Sequence, residues 1–211
     1  PYGSDVQELS RSPNLMFKNA MNKDYPNHKV KRRIIQNKID LWINNASHII
    51  SVCEWVDYMY YRDTLMIAHL AIDTEEIKPN YNLSVSNKSK TFKILHAPNH
   101  RTIKGTKFFM SAVENLKREG FDIEIIIIEK VSNEKVKELI YSSDIIADQI
   151  IIGWYAMFAI EAMAMEKPVL CYLREDLENL YISEGLLIPN EIPIINVTIL
   201  NLENKIKELI L

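Results

Sequence analysis

From residue 92 onward, short apolar runs alternate with segments in which apolar residues recur at helical spacing. The pattern predicts strands over residues 92–97, 121–128, 145–149, 168–172 and near 192–197, and helices over 105–119, 133–142, 155–165 and 201–211. Strands that alternate with helices of these lengths form βαβ crossovers, in which parallel strands carry helices on both faces of the sheet. The chain is therefore expected to be an α/β protein built on a parallel sheet.

Three local signals refine this prediction. The unbroken isoleucine run within residues 121–128 predicts a strand that is buried on both faces. Gly120 is expected to end the helix before that strand, and Asn133 to cap the helix after it. Ligands of such sheets bind at the carboxyl ends of the strands, so the candidate site loops are 96–104, 129–133, 150–155 and 173–176.

The first part of the chain carries fewer signals. A helix is predicted over residues 30–42, with Ile35, Ile39 and Trp42 on one face, and short strands over 49–52 and 65–68. These elements are too few for an independent sheet core, and the chain opens without a methionine, so a fragment of a longer protein is expected. Residues 79–90 are polar and predict a linker. We expect residues 1–88 to be part of an N-terminal domain with this linker, 89–200 a ligand-binding domain and 201–211 a terminal helix.

Composition excludes several functional classes. The net charge of −3 argues against a nucleic-acid partner. The longest apolar run, residues 150–160, is shorter than the ~20 residues of a membrane-spanning helix, and no signal peptide is visible. Cys53 and Cys171 are expected to be buried free thiols of a cytoplasmic protein. The five histidines show no metal-ligand spacing, so no metal site is expected. No other cofactor is predicted.

Arg101 and Lys104 lie in the loop after the first strand of this region, just before Gly105. Two cations beside the predicted start of a helix favour a site for a phosphate or diphosphate, because free amide groups and the helix dipole add to their charge. Arginine can donate hydrogen bonds to two oxygens at once, whereas lysine acts as a point charge. The alternative is a solvated loop with two surface cations.

Glu161 lies on a predicted helix that otherwise consists of alanine, methionine, phenylalanine and isoleucine. A carboxylate on so apolar a helix is exposed, paired or bound to a ligand, because its burial without a partner is costly. The two hydroxyls of a ribose match a carboxylate that accepts two hydrogen bonds. The alternative is an ion pair with a neighbouring base such as Lys167.

Together these segments resemble the C-terminal domain of retaining GT-B glycosyltransferases of family 4. The resemblance rests on Arg-x-x-Lys-Gly at residues 101–105, Ser-Asp-Ile-Ile-Ala-Asp-Gln at 143–149 and Glu-Ala-Met-Ala-Met-x-Lys-Pro-Val at 161–169, in the family's order and spacing. It continues more weakly upstream. It implies two facing Rossmann-like domains, of which residues 89–200 form the one that binds a nucleotide sugar.

The resemblance also implies roles for individual residues. Arg101, Lys104 and Gly105 would bind the donor diphosphate, as would the backbone around Gly153, Tyr155 and Ala156. Glu161 would hold the ribose, and Val131 would lie near the base. The partners would be a nucleotide-sugar donor and a saccharide or lipid acceptor, in polysaccharide biosynthesis. Activity of this chain without the remaining acceptor half is not expected.

The sequence departs from the family at three positions. Gly153 stands where many members have a glutamate that contacts the transferred sugar, while Ala156 and Glu166 stand where glycine is usual. No catalytic side chain is assigned. The rival hypotheses are a non-catalytic nucleotide-binding module of the same fold and a sugar-nucleotide epimerase.

A basic stretch spans residues 23–38 and includes Lys29, Lys31, Arg32 and Arg33. On a predicted helix it favours a solvated face, with peripheral contact to the inner face of an anionic membrane as the alternative.

Overall fold

A computed structural model describes residues 6–68, 70–80 and 91–211, apart from the side chains of Lys29 and Val30. The α-helices are α1 (Leu15–Asp24), α2 (Arg32–Asn45), α3 (Arg101–Lys104), α4 (Thr106–Arg118), α5 (Asn133–Ser142), α6 (Met157–Ala164), α7 (Glu175–Ser183) and α8 (Leu202–Ile210). The strands are β1 (Ile50–Val52), β2 (Thr64–Met66), β3 (Phe92–His96), β4 (Ile123–Ile127), β5 (Ile145–Gln149), β6 (Val169–Cys171) and β7 (Ile195–Asn196). Two 3-10 helices span Pro26–Lys31 and Cys53–Asp57.

The chain divides into two compact units. The first unit comprises Pro1–His69 and Arg174–Pro189, and the second comprises Leu70–Leu173 and Asn190–Leu211. The predicted boundary between residues 88 and 89 lies outside the described residues. Residues 174–189, which the sequence prediction assigns to the second domain, cluster with the first unit.

The second unit is built on a parallel five-stranded sheet with the order β4-β3-β5-β6-β7. The chain moves from β3 outward to β4 and then returns across β3 to β5, so its winding direction reverses between β3 and β5. Right-handed crossovers therefore place α4 on one face and α5 and α6 on the other. This doubly wound, Rossmann-like α/β arrangement confirms the predicted fold class at that level, and it puts the topological switch point at the carboxyl ends of β3 and β5.

Burial follows the position of each strand in the sheet. All five residues of the central strand β5 are buried. The prediction that the isoleucine run is buried on both faces is wrong, because in β4 only Ile123 is buried and the other four residues are partly exposed. The reason is that β4 is an edge strand, which has a neighbour on one side only.

The helix ends confirm some of the predicted signals and correct others. Gly120, with φ of 95°, follows α4 as predicted. Asn133 does not cap α5: Ser132 has an extended backbone, and its hydroxyl accepts the N–H of Lys135. Asn133 already belongs to the helix, so it cannot be the residue that precedes it.

The first unit contains a two-stranded parallel sheet of β1 and β2 together with α1 and α2. In α2, Ile35 and Ile39 are buried as predicted, but Trp42 is 43% exposed. Helix α1 is not predicted from the sequence. Its first turn is capped by the side chain of Asn14, which accepts the N–H of Phe17.

Helix α7 joins the first unit through two buried polar contacts. Arg174, at its N-cap, donates to Asp57 at 2.6 Å, and the hydroxyl of Tyr181 donates to the carbonyl of Cys53 at 3.1 Å. Both Arg174 and Tyr181 are almost fully buried. A buried guanidinium needs a carboxylate partner, so these contacts explain why residues 174–189 cluster with the first unit. Both cysteines are buried and neither forms a disulfide, as predicted.

Candidate functional site

The switch point of the second unit is formed by the segments that follow β3 and β5. After β3, the chain forms the single turn of α3 and enters α4 through Gly105, which has φ of 78°. A Cβ at Gly105 would lie 2.5 Å from Cγ2 of Ile150, and the N–H of Ile150 donates to the carbonyl of Lys104 at 3.2 Å. Glycine is therefore required here both for its left-handed backbone and for close approach to the segment after β5.

Lys104 and Asp148 form a buried ion pair that joins the two segments. The Lys104 ammonium lies 3.0 Å from Oδ1 of Asp148, and the two side chains are 11% and 1% exposed. The other oxygen of Asp148 accepts the N–H of Ala156 at 2.9 Å. Asp148 thus fixes the position of Ala156, the residue before α6. The sequence prediction assigns the Ala156 N–H to the ligand, but in the structure this group donates to Asp148.

His96 ends β3 and forms a second buried connection. Its Nδ1 lies 2.7 Å from the carbonyl oxygen of Ala147, and its Nε2 lies 2.9 Å from the hydroxyl of Thr106. The carbonyl can only accept, so Nδ1 carries the proton and Nε2 accepts from the hydroxyl. Burial lowers the pKa of His96 to about 4, which keeps the ring neutral at physiological pH.

Arg101, at the start of α3, is engaged by Glu129, which lies just beyond the end of β4. The guanidinium donates to both carboxylate oxygens, from Nε at 3.0 Å and from Nη2 at 2.7 Å. The side chains are 55% and 36% exposed. The hydrogen bond from Arg101 lowers the pKa of Glu129, so this carboxylate is charged at neutral pH.

Glu161 is buried on α6, with 9% of the residue exposed. Within the described residues its carboxylate has neither a hydrogen-bond partner nor an ion-pair partner, and burial raises its pKa, an effect that the nearby charge of Lys137 partly offsets. The alternative pairing with Lys167 is not found, because that ammonium donates to the carbonyls of Tyr141 and Ser143 at 3.0 and 2.8 Å. A buried carboxylate of this kind is a strong candidate for ligand binding.

The loop before α6 packs against a buried acceptor that no described residue satisfies. Gln149 is buried at the end of β5; its Nε2 donates to the carbonyl of Trp154, while its Oε1 has no hydrogen-bond partner among the described residues. Trp154 is fully buried and stacks on Tyr155 with 5.4 Å between the ring centroids. Gly153 has φ of 100°, which favours glycine over the glutamate that the family often has.

The remaining predicted residues lie at the same edge of the sheet or at the end of α6. Val131 is 43% exposed in the segment between β4 and α5. Glu166 has φ of 58°, a left-handed backbone that favours glycine, whereas Ala156 has an ordinary extended backbone.

Asp148, Glu129 and His96 have no role in the sequence prediction. Asp148 has the clearest sequence signal, since a carboxylate near the end of a strand that begins with apolar residues needs a cationic partner if it is buried. Glu129 and His96 lie in or beside predicted site loops, but their partners depend on which strands are neighbours.

Other classes of site were sought over the same ranges. No group of three or more His, Cys, Asp or Glu side chains placed to hold a metal ion occurs among the described residues. Every helix within those residues falls short of the length and apolar character needed to cross a bilayer.

No protein-family model matches the chain, and no curated protein matches it significantly. The glycosyltransferase resemblance therefore stays a prediction from motifs.

Proposed function

We propose that the chain is the donor-binding part of a GT-B glycosyltransferase that transfers a sugar, with retention, from a nucleoside diphosphate to a saccharide, lipid or other acceptor. The observation that carries the proposal is Glu161, which lies on the helix that follows the switch-point strand β5. It is a buried carboxylate with no hydrogen-bond or ion-pair partner among the described residues. Two vicinal ribose hydroxyls satisfy both of its oxygens. These hydrogen bonds offset the free-energy cost of burying the Glu161 carboxylate.

In this proposal the diphosphate lies against Arg101. Its guanidinium is half exposed at the carboxyl edge of the sheet and carries the fork of donors that suits a phosphate. Lys104 adds positive charge from its pair with Asp148, since an ammonium has three donors and this pair uses one of them. Both cations stabilise the diphosphate as it leaves the sugar.

The proposal is tested by calorimetric titration of the chain with UDP and with GDP. One nucleotide is expected to bind, and Glu161→Ala and Arg101→Ala are each expected to weaken it about tenfold, or ~1.4 kcal/mol. Glu138→Ala is the matched control, because this exposed glutamate on α5 lies in the same unit and pairs with Lys135 of its own helix. If neither nucleotide binds, or if Glu161→Ala binds as tightly as the unchanged chain, the donor-site assignment is wrong.

A non-catalytic nucleotide-binding module is the second candidate, and Gly153 favours it. A glutamate at φ of 100° would be strained by about 1–3 kcal/mol, so this loop is not built for the family's sugar-contacting side chain. Incubation with labelled UDP- and GDP-sugars, with and without saccharide acceptors, separates the two candidates. Transfer or hydrolysis of the donor excludes a module that only binds, whereas binding without turnover excludes the transferase.

We also propose that the protein works in the cytoplasm, with residues 23–38 in peripheral contact with an anionic membrane. In the first unit, α2 exposes Ile34 and Leu41 on the same helix as the exposed Arg33 and Lys38. An amphipathic basic helix of this kind inserts its apolar residues between lipid headgroups. Binding to vesicles that contain phosphatidylserine, and loss of that binding in Ile34→Ser/Leu41→Ser, test this contact.

A further inference from the structure

The guanidinium edge that a phosphate would use at Arg101 is already occupied. Nε and Nη2 each donate to one oxygen of Glu129, at 3.0 and 2.7 Å. A phosphate binds arginine through the same two-donor fork. Glu129 thus occupies the fork formed by Nε and Nη2, and a phosphate that approaches this edge of the guanidinium competes with the carboxylate for the same two donors.

The second proposed phosphate-binding cation also has a counter-ion within the protein. Lys104 lies 3.0 Å from Asp148, and the Asp148 side chain is 1% exposed and held by the N–H of Ala156. This pair is buried between two fixed segments, so its separation would leave two charges without partners. The Arg101–Glu129 pair is half exposed, and water can solvate Glu129 when it leaves. Of these two ion pairs, the Arg101–Glu129 pair is therefore the one in which a phosphate can replace the carboxylate.

We infer that Glu129 is a competing counter-ion that sets the oxyanion affinity of this site: it occupies Arg101 in the empty protein and is displaced when a diphosphate binds. The inference rests on the proposed function in placing a phosphate at Arg101. No covalent step is involved, because one acceptor replaces another on the same donors. An exposed ion pair of this kind lowers the apparent affinity of the competing ligand by about two- to fivefold.

The test is Glu129→Gln in the whole 211-residue chain, with inorganic pyrophosphate as the probe and calorimetry as the measurement. Glutamine keeps the size of the side chain but gives up the charge that holds Arg101, so pyrophosphate is expected to bind two- to fivefold more tightly than to the unchanged chain. Glu138→Gln is the matched control, since it removes an equal charge and breaks an exposed ion pair on α5. It is expected to change the affinity by less than 1.5-fold, about 0.2 kcal/mol.

A second comparison removes the arginine. In an Arg101→Gln background, Glu129→Gln is expected to change the pyrophosphate affinity no more than Glu138→Gln does, because the guanidinium for which Glu129 and the phosphate compete is gone. An equal gain in that background means that Glu129 acts only through its general charge, which overturns the inference. It is also overturned if pyrophosphate binds to none of these proteins, or if Glu129→Gln leaves its affinity unchanged.

UDP and GDP distinguish the failure of this inference from the failure of the proposed function. Tighter pyrophosphate binding to Glu129→Gln, with no nucleotide binding to any variant, supports the counter-ion role and contradicts the nucleotide-sugar site. Nucleotide binding that depends on Glu161 but not on Glu129 supports the proposed function and overturns the counter-ion role.

Discussion

Glu161→Gln is expected to stabilise the protein while it weakens nucleotide binding. Glu161 is 9% exposed and its carboxylate has no hydrogen-bond or ion-pair partner among the described residues. A buried polar group in that state costs about 1–3 kcal/mol, and more when it is charged. Glutamine occupies the same space without a charge but keeps an unsatisfied amide, so we expect a gain of about 0.5–1.5 kcal/mol in the free energy of unfolding at pH 7.5.

The pH dependence of this gain has a definite sign. Burial raises the pKa of Glu161 above its ordinary value of 4.5, so between that value and the raised pKa the folded chain binds a proton that the unfolded chain releases. Unchanged protein therefore loses stability as pH rises through this interval. The advantage of Glu161→Gln is full above the raised pKa and disappears as pH falls toward 4.5.

Urea unfolding followed by tryptophan fluorescence measures the effect. Trp154 is the only tryptophan in the sequence of the second unit, so a Trp42→Phe/Trp55→Phe background reports on that unit. Glu138→Gln, at an exposed position, is the control and is expected to change stability by less than about 0.5 kcal/mol. A Glu161→Gln chain that is less stable than its parent by more than this amount refutes the reasoning, because the carboxylate would then have a stabilising partner within the protein.

Three further predictions concern the switch point, and all are measured by urea unfolding in the same background. Asp148→Asn leaves the Lys104 ammonium buried without its counter-ion and should cost about 3–5 kcal/mol, whereas a cost below 1 kcal/mol would show that the pair is dispensable. Gly105→Ala places a Cβ at a backbone φ of 78° and 2.5 Å from a side-chain carbon of Ile150, and it should lower the free energy of unfolding by about 2–4 kcal/mol. Gly120→Ala has similar backbone strain but open space around the new Cβ, so it should cost about 1–2 kcal/mol, and equal losses for the two variants would exclude the steric contribution. Because burial lowers the pKa of His96 to about 4, the unfolded chain binds more protons than the folded chain between about pH 6.5 and 4. The free energy of unfolding should therefore fall by about 3 kcal/mol as pH drops through this range, and His96→Gln should lack that loss.

The parts of the candidate site that could be predicted are those that depend on neighbours in sequence. Gly105 is recognisable because it stands between the loop after a strand and a segment with helical spacing, and Glu161 because it interrupts an apolar helix. The expectation that the site lies at the carboxyl ends of the strands follows from the alternation of strands and helices. Each of these signals can be read within about ten residues of chain, which is the distance over which helix and strand periodicity acts.

The partners of these residues could not be predicted in the same way. Lys104 is 44 residues from Asp148, and Arg101 is 28 residues from Glu129. Which of these groups meet depends on strand order, and alternation along the chain does not specify that order. The same uncertainty made the isoleucine run a misleading signal, because an apolar strand can be central or at an edge.

Pattern along the chain thus specifies an α/β unit with a parallel sheet, the residues that can carry charge at its carboxyl edge and the glycine that the backbone requires. Packing in three dimensions adds the reversal of strand order between β3 and β5. It also pairs Lys104 with Asp148 and Arg101 with Glu129, and it leaves the Glu161 carboxylate without a hydrogen-bond or ion-pair partner in the part of the chain that the structure describes. The physical reason is range: backbone geometry and helical or strand periodicity act between near neighbours, whereas ion pairing and burial depend on groups that only the folded sheet brings together.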